Sequence, residues 1–422
     1  MDDLIGTECY ATSTEGIGGM LKSRPEDFVV EEISDLPPMG DRYTAARVRS
    51  KNWETNRLVR QMAKELRISR RRISFAGTKD KRAVTTQLMG FDATLEAVQN
   101  LRLQDVEICD LYRTNRKVQI GDLIGNRFQV IVRRLACSDE DARKRIEEIR
   151  HALSLLGGFP NFFGEQRFGT IRAVTHLIGR HIIKKDFEKA VMTYLATPIE
   201  GEEAFEARKL LEETGDMALA LRTFPKHLTF ELALINHLVR HPGDYAGALS
   251  VLPQNLQMML VHAYQAYLFN RALSARMRAD HPINMPLGGD MVLPVDKKGL
   301  PDAERWIPVT RDNIELLTAR CREGRAFVSG VLFGWQSFTS EGVQGEIERR
   351  IIESEGLEQS DFIIPEMRRM SSKGTRRALL AQCWEFSSSV EGSVAQFRFA
   401  LPKGSYATVL LREFLKPVFD KR

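Results

Sequence analysis

At 422 residues the chain is too long for one simple core, so two domains, or one domain with a large insertion, are expected. Hydrophobic residues make up 43% and charged residues 28%, which fits a soluble globular protein with enough apolar surface for real cores. The net charge of +5 is only mildly basic, so the distribution of charge matters more than its total. Five scattered cysteines, an odd count with no CxxC, argue against a disulfide framework or a zinc ribbon and point to a reducing cytoplasm. The first residues, MDDLIGTECYATS, are acidic and lack an apolar stretch, so no signal peptide is expected. No apolar run approaches the roughly 20 residues of a membrane span.

In chain order, residues 20–33 read as a strand reached through a proline turn, and 42–49 as another strand. Leu58, Val59, Met62, Ala63 and Leu66 then fall at helical spacing and form one apolar face. The opposite face carries Arg57, Arg60, Lys64 and Arg67, with Arg70, Arg71 and Arg72 just beyond. Short strands are predicted at 73–76 and 83–89, and a strand of alternating β-branched residues at 127–134. Ser138 to Asp141 reads as a helix start, and Gly157, Gly158 and Pro160 stop that helix near Leu156. Residues 171–385 are largely helical, with predicted helices at 173–196, 202–214, 226–240 and 254–280 and a mixed segment near 290–340. The α/β texture returns at the end, with a strand over 396–401 and a helix over 405–415. A mixed α/β body split by a mostly helical insertion fits this pattern.

Two stretches stand out chemically. Between residues 57 and 82 there are 10 basic residues against 2 acidic ones, Glu65 and Asp80. Surface helices normally mix signs, so this run suggests contact with a phosphate backbone. Asp80 sits in a Gly-Thr turn between Lys79 and Lys81, with Arg82 next. A turn aspartate is the plain reading. A carboxylate in a phosphate-binding surface is otherwise harmful, however, and its cationic neighbours favour the ionised form that a nucleophile needs. The second stretch is PNFFGEQRFG, 160–169. Either it plugs a core beneath a long loop, or its aromatic rings stack a nucleobase while Asn161 and Gln166 read an edge and Arg167 meets a phosphate. HAYQAYLFN, 262–270, reads as a packed helix, and His237 with His241 as a helix end rather than a metal pair. There is no phosphate-binding GxxxxGK[ST], no GxGxxG after a strand and no GxSxG, which leaves room for a modification enzyme without a cofactor.

Four ordered segments, KSRPEDFVVEEI (22–33), GTKDK (77–81), PNFFGEQRFG (160–169) and LPKGSYATVLLREF (401–414), resemble the TruD family of tRNA pseudouridine synthases, and HAYQAYLFN resembles a further family segment. The resemblance spans essentially the whole chain. It implies an α+β fold: a pseudouridine synthase catalytic domain, with a mixed, mostly antiparallel sheet and flanking helices, over 1–170 plus 386–422, interrupted by a mostly helical α/β insertion domain over 171–385. It implies isomerisation of a uridine, typically uridine 13 of tRNA, to pseudouridine with no cofactor and no metal. Asp80 matches the catalytic aspartate. Phe163 matches the position expected to stack on the base, with Asn161 bonded to a nearby backbone group or base edge and Phe28 lining the same pocket. Lys22 is the first candidate for the cation paired with Asp80, and Arg167 is its competitor. Lys79, Lys81, Arg82, Arg70, Arg71 and Arg72 are expected to hold RNA. The family often has tyrosine where this chain has Phe162. A monomer is the default expectation, and a non-catalytic RNA-binding protein on the same fold is the alternative.

Overall fold

The computed structural model describes residues 2–417, which form two compact units. The first is built from Ala11–Phe159 and the chain from Ala381 onward. The second is built from the segment ending at Tyr10 and Pro160–Leu380. Sequence texture puts the divides at 170/171 and 385/386; the compact units part at 159/160 and 380/381. Hydrogen bonds explain the difference. Asn161 donates its backbone N–H to Leu379 O (2.8 Å) and its side-chain amide to Ala378 O (2.9 Å). Asn270 donates to Ile5 O (2.9 Å). The aromatic loop is thus tied to the backbone of the insertion, and the first residues to one of its side chains.

The first unit is organised by one sheet. Its first six strands are β1 (Phe28–Ser34), β2 (Met39–Lys51), β3 (Ile73–Phe75), β4 (Val84–Phe91), β5 (Val106–Thr114) and β6 (Leu123–Arg133). The spatial order runs from the Trp384–Glu391 strand through Val394–Pro402, β6, β1, β4 and β2 to β5, with β3 added against β4. Every pairing is antiparallel except β1 with β4, where Val29, Val30 and Glu31 face Val84, Thr85 and Thr86 in parallel register. The architecture is α+β, as the sequence predicts.

Helices cover the sheet by the apolar faces read from spacing. The Thr55–Glu65 helix buries Leu58, Val59, Met62 and Ala63 against Ala46, Val48, Met89 and Phe91. Its Arg57, Arg60 and Lys64 stay exposed. The Asp139–Leu156 helix starts at Ser138, whose side chain accepts from the Asp141 N–H. It ends at Gly157, whose φ of 83° is the left-handed geometry that a C-terminal cap needs. Phe414, in the Ala407–Leu415 helix, packs on Phe386 and Phe397 of the terminal strands.

The second unit is mostly helical around its own core. The predicted 173–196 helix is two helices, Thr175–Ile183 and Phe187–Ala196; Lys185 between them adopts φ 61°, and Asp186 caps the second. The long Gln254–Arg278 helix runs through this core. A four-stranded sheet sits in the mixed segment, with Ala326–Leu332 between Met291–Pro294 and Thr375–Ala378. Sequence periodicity missed it because its strands are short and two of them, Ala326–Leu332 and Met291–Pro294, are buried without alternation.

Candidate active site

In the first unit, Lys22 Nζ lies 2.6 Å from Asp80 Oδ2 although 58 residues separate them. Topology causes this meeting. β1 and β4 are parallel neighbours, so the segment leading into β1 and the loop leading into β4 emerge at the same end of the sheet. Lys22 lies on the one and Asp80 on the other. A further bond stitches the two segments, from the Arg82 guanidinium to Ser23 O (3.1 Å).

Each member of the pair is held from behind. The Lys22 ammonium sits 4.2 Å from the centroid of Phe28, a cation over an aromatic face. Phe28 is itself buried edge-on against Phe128. Lys22 has φ 53°, a left-handed conformation that is costly for a residue with a Cβ and clusters at functional positions. Asp27 fixes the turn that follows. It accepts from the Arg24 N–H and receives Arg133 through Nε (2.9 Å) and Nη2 (2.7 Å). That guanidinium holds the Asp27 carboxyl below the usual carboxylate range.

The Asp80 loop is anchored by Lys79. Its N–H donates to Thr55 Oγ1 (2.9 Å), and its ammonium reaches Glu32 Oε2 (2.7 Å). The two side chains are 5% and 0% exposed. Lys79 therefore points into the protein and is removed from the set expected to hold RNA; the cost of leaving Glu32 buried and unpaired explains its inward turn. Asp80 keeps 28% of its side chain exposed, and Lys81 and Arg82 are exposed beside it. Arg70, Arg71 and Arg72 form an exposed single turn, in which Arg72 is tied to Asp92 (3.3 Å).

In the second unit, the 160–169 loop is built around Phe163. The ring is 7% exposed, packs edge-on against Phe269 and carries the Arg377 guanidinium 4.1 Å from its centroid. Arg167 lies 5.6 Å from the same ring. Asn161 uses its side chain locally: it donates to Ala378 O and accepts from Arg377 Nη2 (2.5 Å). Asn270, fully buried, accepts from the Phe163 N–H (2.8 Å) and donates to the Phe163 carbonyl (3.0 Å). A cavity of about 350 Å³ is lined by Phe163, Arg167, His262, Gln265 and Thr375 among others. Burial pushes the His262 imidazole below its ordinary range.

Of the residues singled out in the sequence, Lys22, Phe28 and Asp80 meet in the first unit and Asn161, Phe163 and Arg167 in the second; Asn270, His262, Gln265 and Arg377, which stand beside Phe163 or line its cavity, are not among them. Asn270, His262 and Gln265 lie in HAYQAYLFN, which reads as packing. The available signal was that polar residues, His262, Gln265 and Asn270, recur through an otherwise apolar helix.

The family model described as tRNA pseudouridine synthase D (TruD) matches residues 4–414. The chain belongs to the TruD family. Relatives named "Probable tRNA pseudouridine synthase D" from Methanococcoides burtonii and Methanosarcina acetivorans are each 42% identical over 422 residues, covering 98% of this chain and 96% of theirs. The crystal structure of a TruD protein from Methanosarcina mazei superposes with a TM-score of 0.84 at 38% identity, over 98% of this chain and 97% of that one. TruD proteins are RNA-modifying isomerases by that description. Among the described residues no helix of this TruD chain is long and apolar enough to cross a membrane.

Proposed function

We propose that this TruD protein isomerises a uridine of tRNA, uridine 13, to pseudouridine, with Asp80 as the catalytic carboxylate. The observation that carries the reading is the Lys22–Asp80 ion pair, placed by the parallel β1–β4 register and left partly open to solvent. An acid kept beside exposed Lys81 and Arg82 has no purpose in simple phosphate binding, because it repels the backbone that its neighbours attract.

The target nucleotide leaves its stack so that C1′ and the base become accessible. Asp80 assists rupture of the C1′–N1 bond, either by attack or by taking a proton from the sugar. The freed uracil turns until C5 faces C1′. A C1′–C5 bond forms as the ester to Asp80 breaks or, on the proton-abstraction route, as C2′ regains its proton from Asp80; the C5 proton departs and N1 gains a proton, so the carboxylate is restored and the product is an isomer of the substrate. Lys22 orients the carboxylate, and Phe28 orients Lys22. Phe163, braced by Arg377 and Asn270, offers an aromatic surface for the turning base, and Arg167 offers a cation to its phosphate. The reading takes tRNA as partner, which the family description supports, and includes a reaction without a cofactor, a monomer as working unit and the cytoplasm as compartment.

The test is carbodiimide mapping of an unmodified tRNA transcript incubated with the protein. A single new stop one nucleotide 3′ of uridine 13 is expected. Salt-sensitive binding without any stop would leave an RNA-binding protein on the same fold.

A further inference from the structure

The Thr375–Ala378 strand supports two cavities. Successive side chains of a strand point to opposite faces. Arg377 turns one way, donating from Nε to Asn161 O (3.0 Å) and lying over Phe163. Arg376 turns the other way and donates from Nη1 to Phe338 O (2.5 Å). Its remaining donors are fixed by Ser329 and Ser340, with Glu348 behind. Each arginine thus braces the backbone or ring of one aromatic residue.

Phe338 belongs to the second cavity, of about 510 Å³, lined by Trp306, Gln336, Phe338 and Gln359. Lys373, Gly374 and Thr375 line both this cavity and the one that holds Phe163, so the two share a wall. That wall is tightly built. Gly374 has φ 79°, and a Cβ there would lie 2.6 Å from Leu332 O. Phe338 is 60% exposed, unusual for a phenylalanine whose backbone is so firmly held. Its ring lies 5.3 Å from that of Trp306 at 40°, and the two open an aromatic surface to solvent. Arg305 and Lys373 are exposed in the lining segments beside the exposed carboxylate of Glu304, and Arg368 and Arg369 are exposed in the neighbouring 365–370 segment with Glu366.

We infer that the Trp306–Phe338 cavity is a second nucleotide subsite, which takes an unpaired base next to the target uridine. The inference rests on the proposed function, because the first subsite is the Phe163 cavity. Three features select an RNA strand as the occupant: an exposed aromatic face that stacks any base, a lysine on the dividing wall where a phosphate linking two bases would cross, and a wall shared with the Phe163 cavity. The amides of Gln336 and Gln359 line the pocket where a base edge would lie.

The test uses the full-length Asp80→Asn protein as a binding-competent, non-turning-over background, with unmodified tRNA transcript. Phe338→Ala in that background is expected to raise the Kd by about 5- to 150-fold, the range for removal of one stacked base. Phe338→Trp should restore affinity. Phe230→Ala, at an exposed phenylalanine that lines neither cavity, is the control and should leave the Kd unchanged. Transcripts carrying 4-thiouridine on either side of the target should photo-crosslink to the peptide containing Phe338. Unchanged affinity in Phe338→Ala together with no crosslink from either position would overturn the subsite. Wild-type pseudouridine formation, measured in parallel, separates that failure from failure of the proposed reaction itself.

Discussion

Lys22 and Asp80 meet at 2.6 Å because two parallel strands bring the segments before them to one end of the sheet. The pair is neither sealed nor fully exposed, at 22% and 28%. It therefore retains electrostatic strength while leaving the carboxylate reachable.

If Lys22 orients Asp80, Lys22→Met should lower the single-turnover rate of pseudouridine formation by about 10²-fold, the scale of a misplaced reacting group. The Kd for tRNA should change only a few-fold. An equal loss in rate and affinity would make Lys22 an RNA-binding residue instead.

Lys79 makes the opposite prediction. Lys79→Met leaves Glu32 charged and unpaired in the interior, and unfolding by urea should show a loss of about 3–5 kcal/mol. The double variant Lys79→Met with Glu32→Gln should recover much of it. By contrast, Arg70→Ala with Arg71→Ala should barely change stability. It should weaken tRNA binding and reduce the slope of log K against log salt by roughly 0.7–0.9 for each phosphate no longer neutralised.

Asn270 clamps Phe163 from both sides of its peptide unit and also holds Ile5 O. Asn270→Ala strands three buried backbone groups, so a destabilisation of about 2–5 kcal/mol is expected in denaturant melts. Activity at a temperature where the variant is still folded should fall as well, because the Phe163 loop is no longer fixed.

His176 gives a pH signature. Burial between Phe168 and Tyr267 lowers its pKa to about 4 from 6.5, partly offset by a hydrogen bond to the Leu4 backbone. Between those two values the unfolded chain binds more protons than the folded one. This contribution to stability is complete above about 6.5 and is lost as pH falls toward about 4. Urea unfolding should show a loss of about 2 kcal/mol between pH ~7 and ~5, and His176→Gln should flatten that decline.

The sequence carried the sheet strands near the motifs, the amphipathic Thr55–Glu65 helix and the capped Asp139–Leu156 helix, because their periodicity and caps are local. It carried Asp80 through charge context and the family resemblance. It could not carry the inward turn of Lys79, since a lysine in a basic run looks the same whether or not a buried glutamate waits 47 residues earlier. Nor could it carry the clamp by Asn270 or the split roles of Arg376 and Arg377, which depend on long-range pairing and on which way a short strand faces.

The most direct measurement of the central claim is the single-turnover rate of pseudouridine formation at uridine 13 by the wild-type protein and by Asp80→Asn, with the tRNA Kd of each. Product is expected from wild type and none detectable from Asp80→Asn, with similar affinities. Pseudouridine formed by Asp80→Asn at a rate near wild type would contradict it.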